Sequence, residues 1–129
     1  MPFAIHADAA PLRILCLEDN PLIVFHLEQL IEDLGYVFVV ALESAAELYE
    51  QFSALEIDAA LVDIDLADGR TGPQAAAWLA ARGIPAIFVT GQEEVAAEHR
   101  DLVLGIVTKP IDQDDFTRTL ELLRRPSAR

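Results

Sequence analysis

The 129-residue sequence holds a single cysteine, Cys16, so no internal disulfide can form and a disulfide-stapled scaffold is excluded. Basic residues are scarce as well: nine lysines and arginines face 22 aspartates and glutamates, a net charge of −13. Such a surface repels phosphate backbones and anionic lipid heads, so direct binding to nucleic acid or membrane is not expected. No uninterrupted apolar run exceeds seven residues, as in Tyr36 to Leu42, whereas about 20 are needed to span a bilayer. No lysine or arginine precedes Arg13, so the start of the chain lacks the basic segment of a secretory signal. Internal repeats and low-complexity stretches are also missing. These absences leave a soluble, cytoplasmic protein as the expectation.

What is present argues for one globular domain. The apolar fraction is 53%, too high for disorder despite the charge. At roughly 150 residues per domain the length allows one, and a chain of this size buries about two-thirds of its unfolded surface. The expected layout is a loose leader over residues 1–12, a domain over 13–125 and a short tail over 126–129.

From Arg13 onward, short β-like runs alternate with helical patterns. The runs are RILCLE (13–18), VFVVAL (37–42), DAALVDI (58–64), IPAIFVT (84–90) and LGIVT (104–108). Most are continuously apolar, as strands of a parallel sheet covered on both faces must be. Asn20 and Pro21 open a first helix with Ile23, Leu27, Leu30, Ile31 and Leu34 on one face, and Gly35 stops it. A second helix is expected over Ser44 to Leu55, with Ala45, Leu48, Tyr49 and Phe52 inward; Tyr49 and Trp78 are both assigned to packing. A third follows Gly72 and Pro73 and runs to Arg82, ending at Gly83. A short fourth lies near Gln92 to Arg100. The fifth starts around Asp112 and buries Phe116, Leu120 and Leu123, with Asp114 and Asp115 at its start and Arg124 and Arg125 at its end, as the helix dipole favours.

Five strands alternating with five helices give an α/β, (βα)5 pattern, a doubly wound parallel sheet with right-handed crossovers. The strand order 2-1-3-4-5 is taken over from flavodoxin-like sheets of the same composition. Ligands of such sheets sit outside the carboxyl ends of the strands, so functional residues belong just after strands 1, 3, 4 and 5.

Those positions hold Glu18 and Asp19; Asp63, with Asp65 and Asp68 in the following loop; Thr90 and Gly91; and Thr108, Lys109 and Pro110. Like charges about 4 Å apart at an effective dielectric near 20 repel by about 4 kcal/mol. A cluster of carboxylates must therefore protonate, stay wet or hold a cation. Hard oxygen ligands completed by water suit Mg²⁺. Lys109 adds a positive charge and Thr90 a hydroxyl, so the set suits a substrate with phosphoryl oxygens, one carboxylate attacking phosphorus. Singly, each residue reads as an ordinary turn former. The joint placement at four strand ends is what carries the functional reading.

The chain resembles the CheY-like receiver domains of two-component response regulators from about Leu12 to Arg125. The resemblance rests on the acidic pair in LCLEDN, the aspartate in LVDIDLADG, the threonine in FVTG and the lysine in VTKP, with 44 residues from Asp19 to Asp63. It implies that Asp63 accepts a phosphoryl group from a phosphohistidine on a histidine kinase or histidine phosphotransfer protein. Glu18, Asp19, Asp63 and the backbone carbonyl of Asp65 would hold Mg²⁺. Thr90 and Lys109 would bond phosphoryl oxygens, and Pro110 matches the family's cis-peptide position. Such a domain is a phosphoacceptor that catalyses its own phosphorylation and dephosphorylation, not an enzyme with turnover on free substrates. Its output would pass by contact with a downstream protein.

Several features depart from the commonest family pattern. Ile106 stands where an aromatic usually precedes the lysine by three residues, so the Thr–aromatic coupling lacks its partner. Thr90 and Lys109 are 19 residues apart, which predicts a truncated or irregular fourth helix. Asp65 places an acid two residues past the acceptor, and no output domain is expected after the fifth helix. The LADG-x-xG loop resembles receivers of general stress-response regulators. FVTG partly resembles single-domain receivers marked by Phe-Ala-Thr-Gly-hydrophobic-Tyr, with Val89, Gln92 and Glu93 at the divergent positions.

Two other readings compete. Asp63-Ile64-Asp65 resembles the Asp-x-Asp of haloacid-dehalogenase-like phosphohydrolases, although it follows the third strand and leaves little room for a cap. A degenerate receiver serving only as a binding module is the other. Cys16 reads as a small buried hydrophobe, and His6, His26 and His99 lack metal-ligand spacing.

Overall fold

A computed structural model describes residues 10–124. The expected tail, residues 126–129, lies outside that range, as does most of the expected leader. The described part of that leader is not wholly loose, since Leu12 packs against the core and its carbonyl accepts the Val37 amide at 2.9 Å.

Five strands form one parallel sheet: β1 (Arg13–Leu17), β2 (Val37–Leu42), β3 (Ala59–Val62), β4 (Ala86–Thr90) and β5 (Gly105–Thr108). Their order is 2-1-3-4-5, as expected, so the chain reverses direction across the sheet between β1 and β3. Five helices connect and follow them: α1 (Pro21–Asp33), α2 (Ala45–Gln51), α3 (Gly72–Ala80), α4 (Glu93–Glu98) and α5 (Gln113–Leu120).

Alternation along the strands builds two cores. Ile14 and Cys16 of β1, Leu61 of β3 and Ile87 and Val89 of β4 face α1 and α5, where they meet Leu27, Ile31, Phe116 and Leu120. Leu15 and Leu17, Val62 and Phe88 face the other way, onto Leu48, Ala76, Leu79 and Ala96 of α2, α3 and α4. Side chains two apart share a face, and both faces are covered, so the strand interiors are apolar, with Arg13, Thr90 and Thr108 only at strand ends. In the edge strand, Ile14 pairs with Phe38 and Leu15 with Val40, which leaves Val39 as a bulge. Bulges bend an edge away from further pairing.

The helix ends follow local chemistry. The Asn20 side chain accepts the Leu22 amide at 3.0 Å, and Gly35 reverses the chain after α1 at φ +89. Ser44 caps α2 through the Glu47 amide, and Glu47 reaches back to the Glu43 amide at 2.8 Å. Helices α2, α4 and α5 are shorter than their sequence patterns and finish in 3₁₀ turns at 52–54, 100–102 and 121–124. The six residues of α4 match the truncation expected from the short Thr90–Lys109 spacing.

Tyr49 departs from expectation. It is 41% exposed rather than inward. Its ring lies 4.9 Å from that of Trp78, which also meets Phe52 edge-on and carries the Arg82 guanidinium 3.6 Å above it. Helix α2 leans on α3 at this edge, so the aromatics close the seam between helices from outside the core.

Cys16 is fully buried in β1, and burial pushes its thiol pKa far up. Native protein at mildly alkaline pH is therefore expected to resist iodoacetamide, with stoichiometric alkylation only in denaturant. Rapid native alkylation, read by intact mass, would contradict the burial.

Candidate functional site

The carboxyl ends of β1, β3, β4 and β5 converge on one edge of the sheet. The backbone extends just past β1 and β3 in register: the Glu18 amide donates to Leu42 O and the Asp63 amide to Leu17 O, each at 3.0 Å. These bonds bring the Glu18 and Asp63 side chains to adjacent positions. Carboxylate oxygens of Glu18, Asp19 and Asp63 lie within 4.8 Å of one another. Glu18 is only 2% exposed and Asp63 8%, whereas Asp19 faces solvent.

Lys109 crosses to this cluster from the end of β5. Its Nζ lies 2.8 Å from Glu18 Oε1 and 2.9 Å from Asp63 Oδ2, so one ammonium serves both buried acids. It is the only lysine in the sequence. Its backbone is held too, the Lys109 amide donating to Thr90 O at 3.0 Å, and the Lys109–Pro110 peptide is cis. The remaining carboxylate oxygens have backbone donors. The Asn20 amide donates to Glu18 Oε2 at 3.1 Å and the Ile64 amide to Asp63 Oδ1 at 2.7 Å. Thr90 is fully buried, and its hydroxyl oxygen accepts the Gln92 amide at 3.0 Å.

Burial dominates the electrostatics of Glu18. Desolvation raises its pKa, the Lys109 hydrogen bond works against that rise, and the Asp63 charge adds to it. For Lys109, desolvation alone would lower the pKa, but the two carboxylates outweigh it and hold the pKa raised. The lysine therefore keeps its proton through neutral pH. One positive charge faces three carboxyl groups, and the excess is negative. Closely grouped oxygen donors with a solvent-facing member are a donor set that fits a hard divalent cation such as Mg²⁺.

Of the residues picked out in the sequence, Glu18, Asp19, Asp63, Thr90 and Lys109 come together at these strand ends. The side chains of Asp65 and Asp68 do not join the cluster. Asp65 pairs with Arg70 at 2.9 and 3.4 Å, and that hydrogen bond keeps its pKa lowered. Asp68 turns to the start of α2, accepting the Ala45 and Ala46 amides at 3.3 and 3.2 Å and the Thr71 hydroxyl at 2.6 Å. The fixed backbone donor from Ile64 escaped sequence reasoning, since only coordinates show which amide meets Asp63. Ile106 is partly buried under the side of the sheet that carries α4.

Comparison with known proteins identifies the family and the fold. The model of the response regulator receiver domain matches residues 14–121. The sensor protein GacS of Pseudomonas syringae pv. syringae is 31% identical over 135 aligned positions, covering 92% of this chain but only 15% of that protein. The PhyR response regulator receiver domain of Erythrobacter litoralis superimposes with a TM-score of 0.83 at 26% identity, covering 95% of this chain and all of that one. The receiver domain of the sensor histidine kinase PA1611 from Pseudomonas aeruginosa PAO1, which holds a magnesium ion in its active-site cleft, shares the fold at 22% identity, with a TM-score of 0.74 over 90% of this chain and 100% of that one. Among the described residues, no helix is long and apolar enough to cross a membrane. By its family match and its five-stranded 2-1-3-4-5 sheet, the chain belongs to the receiver domains of the two-component response regulators.

Proposed function

We propose that Asp63 accepts a phosphoryl group from a phosphohistidine on a histidine kinase or histidine phosphotransfer protein, and that the loaded domain signals by contact with a downstream protein in the cytoplasm. The observation that carries this reading is Lys109 Nζ at 2.9 Å from Asp63 Oδ2, beside the Glu18–Asp19–Asp63 group. The net charge of −13 favours a protein partner over nucleic acid.

In the transfer, an Asp63 carboxylate oxygen bonds to phosphorus while the phosphorus–nitrogen bond to the donor imidazole breaks. The imidazole keeps the electron pair and takes up a proton. Glu18, Asp19 and Asp63, with the Asp65 carbonyl, are the residues that would hold Mg²⁺. When bound, the ion supplies positive charge to the phosphoryl oxygens. Lys109 follows the new charge from carboxylate to phosphoryl oxygen. The Ile64 amide keeps the acceptor oriented, and Thr90 can turn its hydroxyl from the Gln92 amide toward a phosphoryl oxygen. Phosphorylation adds about −1.5 to −2 charge and three acceptor oxygens, which favours a conformation in which the loops after β4 and β5 close inward. With Ile106 in the aromatic position and a six-residue α4, that closure reaches the surface without a swinging aromatic.

The phosphohydrolase alternative needs Asp65 as a general acid carrying a proton. Arg70 holds that carboxyl ionised, so the role does not suit it. The binding-module alternative leaves the assembled cluster without a purpose.

Incubation with acetyl phosphate and MgCl₂ should add one phosphoryl group per chain by intact mass, and Asp63→Asn should remove the addition. Full labelling of Asp63→Asn would place the acceptor elsewhere, and sustained Mg²⁺-dependent turnover of small phosphate esters without a labelled chain would favour hydrolysis. Asp19→Asn removes an exposed like charge from the group. It should raise metal-free stability by about 1 kcal/mol. It should also abolish the stabilisation by Mg²⁺, which at one hundred times Kd amounts to about 2.7 kcal/mol in the parent. Thermal melts with and without MgCl₂ check both; an unchanged response to Mg²⁺ would remove Asp19 from the metal set.

A further inference from the structure

The loop after β3 returns the chain so that α3 begins directly over the strand end carrying Asp63. A methyl group built on Gly72 would stand 2.0 Å from the Asp63 carbonyl oxygen, 2.7 Å from Ile64 Cα and 2.9 Å from the Asp63 carbonyl carbon. All three are backbone atoms, so no side chain can rotate away to make room. Gly35, Gly69 and Gly83 are different: each has a positive φ and open space around it. At Gly72 the requirement is space.

The crowded backbone is the segment that aims the acceptor. The Gly72 amide donates to Ile64 O at 3.0 Å, and the Ile64 amide donates to Asp63 Oδ1 at 2.7 Å. The peptide joining residues 63 and 64 thus meets Gly72 on one side and fixes one carboxylate oxygen on the other, while Lys109 takes the second oxygen.

The start of α3 is also poorly placed to retreat. Asp68 ties the loop to the first amides of α2 and to the Thr71 hydroxyl, and the Ala67 amide donates to Glu43 O at 2.8 Å. An added side chain must therefore break these ties or displace the 63–64 peptide.

We infer that Gly72 is a positioning residue for phosphoryl transfer: its missing side chain lets α3 press on the 63–64 peptide and hold the Asp63 carboxylate in its attacking orientation. The inference rests on the phosphoacceptor reading of Asp63.

The test is Gly72→Ala, compared with Ile31→Ala, a truncation on α1 in the core on the opposite face of the sheet from Ile64, which lowers the melting temperature from outside the cluster that holds the 63–64 segment. Three quantities are read well below both melting temperatures: the initial rate of labelling by acetyl phosphate with MgCl₂, the affinity for Mg²⁺, and the amide resonance of Ile64. Gly72→Ala should label at least about tenfold more slowly, a loss of about 1.4 kcal/mol in barrier terms, with the Ile64 resonance moved. Ile31→Ala should keep the parent rate and resonance. A folded Gly72→Ala with the parent labelling rate and Ile64 resonance would overturn the inference. Should Gly72→Ala not fold, a glycine inserted between Gly69 and Arg70 lets α3 draw back without a new side chain. Slower labelling with a moved Ile64 resonance then supports the role, and unchanged values overturn it. If the parent itself takes no label, the phosphoacceptor reading fails; the Ile64 resonance and Mg²⁺ affinity of the variants still decide whether Gly72 positions Asp63.

Discussion

One ammonium group between two buried carboxylates organises this molecule. Glu18 and Asp63 leave water at the ends of neighbouring strands, and each would lose hydration without a partner were it not for Lys109. The chain spends its single lysine there, against a net charge of −13. Because Asp19 adds a third carboxylate, the balance stays negative. The cluster is thus compact enough to exist without a cation and charged enough to attract one. A phosphoryl group entering such a site meets a lysine able to change partner, a buried hydroxyl and a fixed backbone amide.

The sheet supplies the accuracy that this arrangement needs. Parallel pairing sends β1, β3, β4 and β5 the same way, so their ends share an edge. The bonds from Glu18 to Leu42 and from Asp63 to Leu17 set how far each acid projects. The loop that follows Asp63 is anchored twice, by the Asp68 carboxylate on α2 and by the close fit of Gly72. The loop is therefore held at Asp68 and again at its return, while the exposed Asp65–Arg70 ion pair links the stretch before the first anchor to the stretch between the two. The loop after β4 has fewer ties: α4 is short and its N-cap makes no side-chain hydrogen bond. Under the proposed phosphorylation of Asp63, motion is expected to concentrate there.

Much of the fold was legible in the sequence because continuous apolar runs, Asn20-Pro21 and Gly35 each have a local meaning that the tertiary structure does not override. The five strands follow the pattern, their order agrees with the one taken over from flavodoxin-like sheets, and Glu18, Asp19, Asp63, Thr90 and Lys109 gather because strand ends in such a sheet share one edge. Features set by long-range contacts were not legible. Tyr49 fits the inward period of α2, but the neighbour on that side is α3, so the ring closes a surface seam. Asp68 lies in an acidic loop and reads as a member of the cluster, yet free amides at the start of α2 claim it. Gly72 reads as the start of a helix, while its closest neighbour is the backbone of Asp63, nine positions earlier. Helix ends were the least readable, since α2, α4 and α5 tighten into 3₁₀ turns where they meet the next loop.

The central claim is that Lys109 makes the burial of the Glu18 and Asp63 carboxylates tolerable, and its most direct test is the folding stability of Lys109→Met against the parent across pH without divalent cations. Removing the lysine takes away what opposes the raised pKa of Glu18, so its folded pKa moves further above the unfolded value. Stability is then retained below the unfolded carboxylate pKa and lost as pH rises through the folded one. Denaturant titrations should show a deficit of about 3 kcal/mol or less near neutral pH, shrinking steadily as the solution is acidified. A deficit of the same size at every pH, or none at neutral pH, would contradict the account.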